Sequence, residues 1–458
     1  MRPRAAILLG LLGGLLLGTR LAHAGVLWIE EAYGMAAAAE LLRGKVLYRD
    51  IWFDKPPLYA AIYVLCGAHM GVGLRVLEAA YCFLAVLLAY AVGRSWWGER
   101  EGLWAGVLLG WGLSFGVPSA VLPLAPDLLT VAPHLAAVGL ASAGRSVGAG
   151  LAAGMALLSN AKGVLVLAAS LPWRRSGLLV GIAGAVAAAV VVMLSPGDFW
   201  HQVVRWGAAY ARDSLIANPP AEGLKRTLNW AGFHLTAVAG TLYCLWREPA
   251  RQRRRLLVWV LISCAAVSAG WRFFPRYYLH LLAPVSILGG RGLALMARGR
   301  RLALALLLVI PMVRFGWMHV EVARGVGHRD LAMFEQSRAA SVILKQQAPP
   351  GATLLVWGYR PDLYVLSGLP AGTRFLDSQP LTGVLADRHL TSAQATLPEE
   401  ARANRQLLRQ SRPTFIADGL GPYNEQLAVS AFPDLQQWLS EYELFASPAG
   451  YRLYRVKP

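Results

Sequence analysis

The sequence predicts a polytopic α-helical membrane protein that ends in a small α/β domain. The chain has 458 residues, of which 56% are hydrophobic and 15% are charged, whereas a soluble domain carries about 25% charged residues. Its mean hydropathy is +0.44. Long apolar runs alternate with short arginine-bearing breaks up to about residue 318, and the composition then turns polar. We therefore predict a transmembrane domain over residues 1–318 and a second domain over residues 319–458.

The apolar runs predict about eleven transmembrane helices, since a helix that crosses a bilayer needs about 20 apolar residues, or fewer where it is broken inside a bundle. Two short runs predict a hairpin with Lys162 at its tip. The runs cover residues 5–24, 75–93, 102–118, 127–143, 147–158, 163–172, 177–194, 231–246, 256–270, 277–296 and 301–318.

The basic residues orient these helices, because arginine and lysine mark the cytoplasmic ends of membrane spans. We expect an inward N-terminus and place Lys162 and the C-terminal domain on the external face. The same distribution explains the net charge of +18 without nucleic acid, since no basic patch with interleaved aromatic residues stands apart from a span. The marker residues are Arg2, Arg4, Arg94, Arg100, Arg145, Arg174, Arg175 and the runs 247–255 and 298–301.

The first span also has features of a cleavable signal peptide, with basic residues at its start and Ala22-His23-Ala24 at its end. We expect it to be retained, and in either case the chain from Gly25 onward is external. The predicted external pieces are the first loop at residues 25–74, the segment 195–230 and the chain after residue 319. In the first loop, the stretches 32–42 and 56–70 predict helices that lie along the membrane surface.

The C-terminal segment has the alternating pattern of a small α/β domain. Helices are predicted at residues 330–347 and 398–410, and strands at 353–357, 414–417 and 451–456. Alternating helices and strands favour a partly parallel sheet. The segment has no glycine-rich phosphate loop and no nucleophile elbow, so we assign it no chemistry.

Acidic residues beside the predicted bilayer are the first candidates for function. Glu30 and Glu31 follow the first span, and Asp127 stands at the mouth of another. A carboxylate at a membrane boundary is costly unless it is paired or faces water. Each of these acids could be a helix cap or an interfacial anchor, but two acidic sites together with Lys55 on one predicted face favour a functional site.

Lys55 precedes Pro56 and Pro57, and the two prolines fix an extended approach to a helix start. This arrangement holds an ammonium group near the interface, where it could meet a phosphate. The alternative is a lysine that snorkels from a helix end, and spacing does not distinguish the two.

Several stretches resemble the protein-mannosyltransferase and aminoarabinose-transferase group, which are glycosyltransferase family 39-like membrane enzymes of the GT-C type. The first loop carries the most specific resemblance, at residues 28–33, 41–50 and 54–58. Residues 126–127, 157–163 and 272–280 agree with the family in order and spacing. The C-terminal segment resembles the family only as an external domain of variable sequence.

The resemblance implies transfer of a sugar, with inversion, from a polyprenyl-phosphate donor to a hydroxyl acceptor on the external face of a bacterial inner membrane. The acceptor could be a glycan, a lipid or a protein, and a divalent cation remains an open question. Members of the family typically begin the first loop with an Asp-Glu pair, whereas this chain has Glu30-Glu31. The longer first side chain moves its carboxylate by roughly a bond length, to which catalysis is sensitive.

By the same resemblance, Glu30 would be the general base and Asp127 a second catalytic acid near the acceptor or a metal. The donor phosphate would be bound by Lys55, Lys162 and Arg276, with Glu31 and Asp54 as supporting residues.

Two other classes of function stay open. A transporter or flippase of lipid-linked sugars would show inverted repeats and interrupted helices in corresponding halves, and the sequence has no convincing repeat. A non-catalytic relative that binds the lipid-linked sugar is the third reading, which the departure at Glu30 permits.

The remaining polar and aromatic residues of the spans have structural interpretations. We expect Tyr277 and Tyr278 to be interfacial anchors, and His134 and His280 to be packed, hydrogen-bonded residues. The four cysteines lie in apolar stretches without metal or disulfide spacing and are expected to pack as small hydrophobic residues; they are Cys66, Cys82, Cys244 and Cys264.

Overall fold

A computed structural model describes residues 3–173, 177–213, 216–326 and 331–458. Arg2, Arg174, Arg175 and Asp330 lie outside the described residues. The described residues up to 347 are mainly helical, with loops between the helices. The longer helices of the part up to residue 326 are Pro3–Leu21, Ile29–Leu42, Leu58–Val64, Val72–Trp97, Glu99–Ser114, Val131–Ser142, Ser146–Ser159, Gly163–Ser170, Gly177–Leu194, Trp206–Arg212, Pro219–Phe233, Leu235–Arg247, Ala250–Ser268, Leu279–Leu295, Arg298–Leu306 and Val309–Ala323.

Each predicted span coincides with at least one of these helices. Five helical segments are long and apolar enough to cross a bilayer by length and composition, among the residues that the structure describes. They are Pro3–Leu21, Val72–Trp97, Gly177–Leu194, Pro275–Leu295 and Arg298–Ala323. Most of the other predicted spans form shorter helices, so the number of about eleven stays a prediction.

The helix Leu279–Leu295 is buried over nearly its whole length and forms the centre of the bundle. It crosses the helix Leu235–Arg247 with the two backbones in contact. A Cβ atom on Gly292 would lie 1.8 Å from the Gly240 carbonyl oxygen, so only glycine fits there. Small residues allow this close approach of membrane helices. The crossing fixes the position of the helix Leu279–Leu295, which directly follows the turn that carries Arg276.

The first-loop helix, Ile29–Leu42, is enclosed on nearly all sides. That it lies along the membrane surface stays a prediction, and the structure adds that protein covers both of its sides. The helix Leu58–Val64 packs on one side, where a Cβ on Gly34 would come within 2.8 Å of the Tyr59 and Tyr63 rings. The C-terminal domain covers the other side, and the apolar run Met35–Ala39 suits burial on both faces.

The C-terminal domain contains a four-stranded sheet in the order β1-β2-β4-β3. Strands β1 and β2 pair in parallel, as predicted, and β4 pairs antiparallel with both β2 and β3. Strand β3 was not predicted, because its five residues do not alternate clearly between apolar and polar side chains. The elements are the helices Ala332–Gln347, Asp362–Ser367 and Pro398–Leu408, and the strands β1 Leu354–Trp357, β2 Phe415–Asp418, β3 Tyr442–Ala446 and β4 Arg452–Val456.

The C-terminal domain is joined to the first loop by backbone pairing. Trp52 forms a parallel bridge with Phe375, and its N–H donates to the Arg374 carbonyl at 2.7 Å. The Ala371 N–H donates to the Glu40 carboxylate at 3.1 Å. These contacts place loop residues 52–55 directly against residues 374–377, which brings a part of the C-terminal domain next to the candidate site.

Candidate functional site

An ion pair between Glu30 and Arg276 begins the candidate site. Glu30 lies in the first turn of the helix Ile29–Leu42, and Arg276 lies in the 3₁₀ turn Pro275–Tyr278, which leads into the central helix. The two side chains are in direct contact, and each keeps 24% of its surface exposed. The Tyr59 hydroxyl donates to the Glu30 carbonyl and holds its backbone. Glu30 is thus paired with a cation and still accessible.

Asp127 is the hub of the site and is nearly buried. Its Oδ1 accepts a hydrogen bond from the Asn160 amide at 3.1 Å and lies 3.0 Å from His280 Nε2. The Arg276 Nε lies 3.7 Å from Oδ2, and the Lys162 Nζ lies 3.8 Å from Oδ1. Four polar groups from two chain segments, 160–162 and 276–280, therefore converge on one carboxylate.

Lys162 follows the helix Ser146–Ser159 at the tip of the predicted hairpin. Its Nζ lies 3.0 Å from the centroid of the Tyr277 ring and makes no hydrogen bond with any residue in the described ranges. Burial lowers the pKa of Lys162 to about 8, although the Asp127 carboxylate opposes this shift. A buried ammonium with unused donors is suited to bind an anion.

Asp54 and Lys55 form a second group of charges. The Lys55 Nζ lies 2.5 Å from Asp54 Oδ2 and 5.9 Å from the centroid of the Tyr210 ring. The side chains of Tyr210 and Tyr277 are hydrogen-bonded to each other. Lys55 therefore lies over one ring of this tyrosine pair and Lys162 over the other. Lys55 is the more exposed lysine, with 37% of its side-chain surface accessible.

Asp377 of the C-terminal domain stands beside this second group. Two residues beyond the Trp52–Phe375 bridge, the two segments reach Asp54 and Asp377. One oxygen of each carboxylate is buried without a hydrogen-bond partner among the described residues. Burial raises the pKa of Asp377 to about 7, with the Asp54 charge as a smaller cause. The second domain, to which the sequence analysis assigned no chemistry, therefore contributes an acid next to Lys55.

Glu31 is not part of this site. Its carboxylate accepts from Arg75 Nη2 at 2.6 Å and from the Trp28 N–H at 2.8 Å. Arg75 also pairs with Glu78 at 2.6 Å, and the side chains of all three charged residues are fully buried. Both partners of the Glu31 carboxylate lie away from Arg276. Glu31 therefore stabilises the start of the helix and the packing of the first loop.

An apolar groove of about 580 Å³ is lined by residues next in sequence to the two lysines. Pro56 and Pro57, which follow Lys55, line one part of it, and Ala161, which precedes Lys162, lines another. Its further walls come from Leu157, Val191, Phe199 and Val203. The groove offers no charged group, so it is suited to an aliphatic chain whose head lies at the lysines.

Several residues of the site were not predicted from the sequence. Tyr277 and Tyr278 were expected to be interfacial anchors, and this was wrong: both are buried, Tyr277 under Lys162 and Tyr278 against Trp230. The family-like stretches 157–163 and 272–280 contained Asn160 and Tyr277 and so carried a signal. Asp377 had none, because only long-range pairing brings it near Lys55.

The structural interpretation of the histidines and cysteines holds in the structure. His280 contacts Asp127, and His134 Nε2 accepts from the Trp259 indole at 2.8 Å. The four cysteines are free thiols, with Cys82 and Cys244 buried. Within the described ranges, no cluster of three or more histidine, cysteine, aspartate or glutamate side chains could hold a metal ion.

Comparison with known proteins gives one sequence relative and several structural ones. The chain is 27% identical over 359 residues to undecaprenyl phosphate-alpha-4-amino-4-deoxy-L-arabinose arabinosyl transferase 2 of Pseudomonas fluorescens. The match covers 67% of this chain and 60% of the length of that protein. No family model matches the chain.

Among solved structures, ArnT from Cupriavidus metallidurans bound to undecaprenyl phosphate superimposes with a TM-score of 0.65 at 14% identity, over 99% of this chain and 98% of that one. The Archaeoglobus fulgidus oligosaccharyltransferase, in complex with zinc and sulfate, gives a TM-score of 0.55 at 15% identity, over 98% of this chain and 73% of that one. The predicted fold class is thus confirmed apart from the number of spans: the chain has the fold of ArnT, with apolar helices followed by a small sheet domain.

Proposed function

We propose that the chain is a membrane glycosyltransferase that moves a sugar from a polyprenyl-phosphate donor to a hydroxyl acceptor. The observation that carries this proposal is the line of charges Glu30, Arg276, Asp127 and Lys162, in which each member approaches the next across distant chain segments. It offers an accessible carboxylate at one end and anion-binding groups at the other. Both are needed to exchange a phosphate for a hydroxyl at a sugar carbon.

The donor is proposed to lie with its phosphate at the lysines and its polyprenyl chain in the apolar groove. Each lysine is adjacent in sequence to a residue that lines the groove, and the Lys162 ammonium has no hydrogen-bond partner among the described residues. The names of the similar proteins support this class of donor, since one carries undecaprenyl phosphate in its name and another was solved with that lipid bound.

The proposed reaction is a single displacement with inversion. The acceptor oxygen forms a bond to the anomeric carbon while the bond from that carbon to the phosphate oxygen breaks, and the electron pair leaves with the polyprenyl phosphate. Glu30 takes the proton of the attacking hydroxyl as general base. Lys55, Lys162 and Arg276 stabilise the negative charge that develops on the leaving phosphate.

Asp127 is better suited to position these groups than to accept a proton. Its Oδ1 already accepts from Asn160 and contacts His280, and the whole residue is nearly buried. The carboxylate holds Arg276 and Lys162 at 3.7 and 3.8 Å from its two oxygens. In the proposed mechanism, Asp127 thereby fixes the spacing between the base and the phosphate site.

We place the site and the C-terminal domain on the external face of a bacterial inner membrane. The support is the distribution of arginines: residues 94, 145, 247–255 and 298–301 mark helix ends remote in sequence from the Glu30, Asp127 and Arg276 segments. A polyprenyl donor carries its phosphate at headgroup level, which matches a site at the end of the bundle. Glycan, lipid and protein acceptors all remain compatible.

The decisive experiment is mass spectrometry of lipid-linked sugars and envelope glycans in cells with the gene intact, deleted or restored. Deletion is expected to raise one polyprenyl-phosphate sugar and to remove the same sugar from an envelope component. Wild-type protein should restore the modification, and an equally expressed Glu30→Gln variant should not.

Asp50→Asn is the matched control, because Asp50 is a loop acid that pairs with its neighbour Arg49 and accepts from the Val46 N–H, away from Glu30 and Arg276. This variant should restore the modification fully. If purified protein in vesicles translocates the donor and forms no transfer product, the protein is a flippase. If lipid-linked sugars bind but neither transfer nor translocation occurs, it is a non-catalytic binding protein.

A further inference from the structure

A second cavity, of about 560 Å³, lies behind the turn that carries Arg276. Pro275, Tyr278 and Leu279 line it, whereas the Arg276 side chain points away toward Glu30 and Asp127. None of Glu30, Lys55, Asp127 or Lys162 contributes to its walls. The cavity is therefore separate from the proposed sugar-transfer site, although both share one short turn.

Arg314 is the most unusual residue of this cavity. It lies inside the candidate span Arg298–Ala323, its side chain is exposed, and it makes no hydrogen bond or ion pair with any described residue. The Phe315 ring centroid lies 5.7 Å from its guanidinium carbon. An arginine within a span costs several kcal/mol unless it meets an anion or reaches the interface. Its position therefore calls for a negatively charged group from outside the chain.

The depth of Arg314 agrees with a lipid headgroup as that group. Arg314 follows Arg301 by roughly 20 Å along a helical path, so the two arginines lie in opposite halves of a bilayer whose core is about 30 Å thick. Arg298, Arg300 and Arg301 lie in the first turn of this span, where we expect them to face the cytoplasmic surface of the membrane. On this path the Arg314 backbone lies roughly 10 Å inside the opposite face of that core, a distance that a long arginine side chain largely spans to reach the phosphates of that leaflet.

Arg226 supplies a second cation to the cavity from the helix Pro219–Phe233. Its Nε bonds Glu222 at 2.7 Å and its Nη1 donates to the Arg272 carbonyl at 3.0 Å, which leaves Nη2 without a partner among the described residues. Asn229, on the same side of this helix, adds an exposed amide to the lining. The polar part of the cavity is cationic and amide-bearing, and its lining contains no carboxylate.

The rest of the lining is apolar and aromatic. Trp230, Phe233, Phe273, Leu282 and Phe315 form its walls. A Cβ on Gly112 would lie 2.9 Å from Leu282, so glycine at this position keeps the helices close without filling the cavity. Such walls are suited to the acyl chain of a lipid, and the two arginines are suited to the phosphate of its headgroup.

We propose that this cavity binds an anionic phospholipid, with the phosphodiester between Arg226 and Arg314 and an acyl chain along the aromatic walls. The inference goes beyond the proposed sugar transfer and does not depend on it. Bound lipid would also brace the Arg276 turn, because Arg226 donates to the Arg272 carbonyl and Thr227 bonds the Tyr278 hydroxyl at 2.9 Å.

The test is native mass spectrometry of the full-length protein after exchange from nanodiscs that hold equal amounts of phosphatidylglycerol and phosphatidylcholine with the same chains. Wild-type protein is expected to retain phosphatidylglycerol preferentially. Arg314→Gln should weaken this retention about tenfold, as expected when one charge-assisted hydrogen bond is lost. Arg314→Lys keeps the charge and should preserve most of the preference.

Arg300→Gln is the matched control, because Arg300 is an exposed arginine of the same span that lies outside the cavity. It should retain phosphatidylglycerol as wild type does. Equal retention of the two lipids by wild type, or equal effects of Arg314→Gln and Arg300→Gln, would overturn the proposal. So would displacement of the lipid by glycerol phosphate at the same concentration, since the site would then recognise a free phosphate. Should Arg314→Gln fail to fold, the Arg314→Lys variant decides: loss of the preference for phosphatidylglycerol in this variant would also overturn the proposal.

Discussion

Glu30 and Glu31 are adjacent in the sequence, yet they belong to two clusters with opposite properties. Glu31 lies with Arg75 and Glu78 in a cluster whose side chains are fully buried and whose arginine donors reach two carboxylates and two carbonyls. Glu30 lies with Arg276 in a cluster that is about a quarter exposed and ends at a lysine with unused donors. The Glu31 cluster is complete without a ligand, whereas the Glu30 cluster is not.

The difference shows how a structural charge cluster can be distinguished from a candidate active site. Buried charges must have their partners within the protein, because an unpaired buried ion costs several kcal/mol. A site that binds an anion must instead keep donors free and reachable. By this criterion Lys162 and Arg276 belong to a site and Arg75 belongs to the scaffold, although all three are cations beside carboxylates.

The largest expected effect is on catalysis. Glu30→Gln should lower the transfer rate by about 10²–10⁴-fold, the usual contribution of a general base, while thermal unfolding stays close to that of wild type. Glu31→Gln, the neighbouring change, should keep the rate per folded molecule within several-fold of wild type. Transfer assays at equal protein amounts measure both, and similar losses for the two variants would remove the distinction between the clusters.

The next effect is on stability. Arg75→Gln leaves Glu31 and Glu78 buried without their cation, so it should cost about 3–5 kcal/mol of unfolding free energy. Arg276→Gln removes a cation that is partly exposed and should cost far less stability, while it lowers the transfer rate. Thermal unfolding in detergent together with the transfer assay separates the two. Equal destabilisation by both variants would contradict the assignment of Arg276 to the site.

Asp377 sharpens the comparison, because it is buried like Glu31 but incompletely bonded. Burial raises its pKa from 3.8 to about 7, so the folded protein holds a proton that the unfolded chain releases. Its contribution to stability is full below pH 4, falls as the pH rises toward 7, and above pH 7 becomes a constant penalty on the order of 4 kcal/mol. Asp377→Asn should therefore raise stability at pH 8 and flatten the dependence between pH 5 and 8.

The control for this change is Asp434→Asn, which removes a partly exposed carboxylate that pairs with Arg405 at 2.8 Å in the same domain. It should change the unfolding free energy by about 0–1 kcal/mol. Unfolding temperatures measured from pH 5 to 8 decide the matter: an unchanged pH dependence in Asp377→Asn would show that another group causes it.

The smallest effect is a pH dependence of the donor site. Because the pKa of Lys162 is about 8, its ammonium is charged below that pH and loses its proton above it. The ratio kcat/KM should fall about tenfold per pH unit well above pH 8. Lys162→Arg should move this alkaline limb upward, since a guanidinium stays charged. A limb at the same pH in the variant would assign it to a different group.

Much of the fold and part of the site could be predicted without coordinates. Hydropathy identified the helical bundle and the compositional change identified the α/β segment, since burial in a bilayer or a sheet leaves a periodic record in sequence. The family-like stretches located Glu30, Asp127, Lys162 and Arg276, which the structure brings together. The enclosure of the first-loop helix and the burial of Tyr277 were not predicted, because a covering domain and a lysine packed on a ring leave no local pattern in the sequence.

The sequence by itself determined where the charges stand along the chain and which of them border apolar runs. Only the tertiary structure decided which charges meet. Successive residues of a helix point about 100° apart, so Glu30 reaches Arg276 while Glu31 reaches Arg75. Asp377 joins Asp54 only through a bridge between segments more than 300 residues apart. The role of a charge follows from its partners and its exposure, and these are properties of the folded chain.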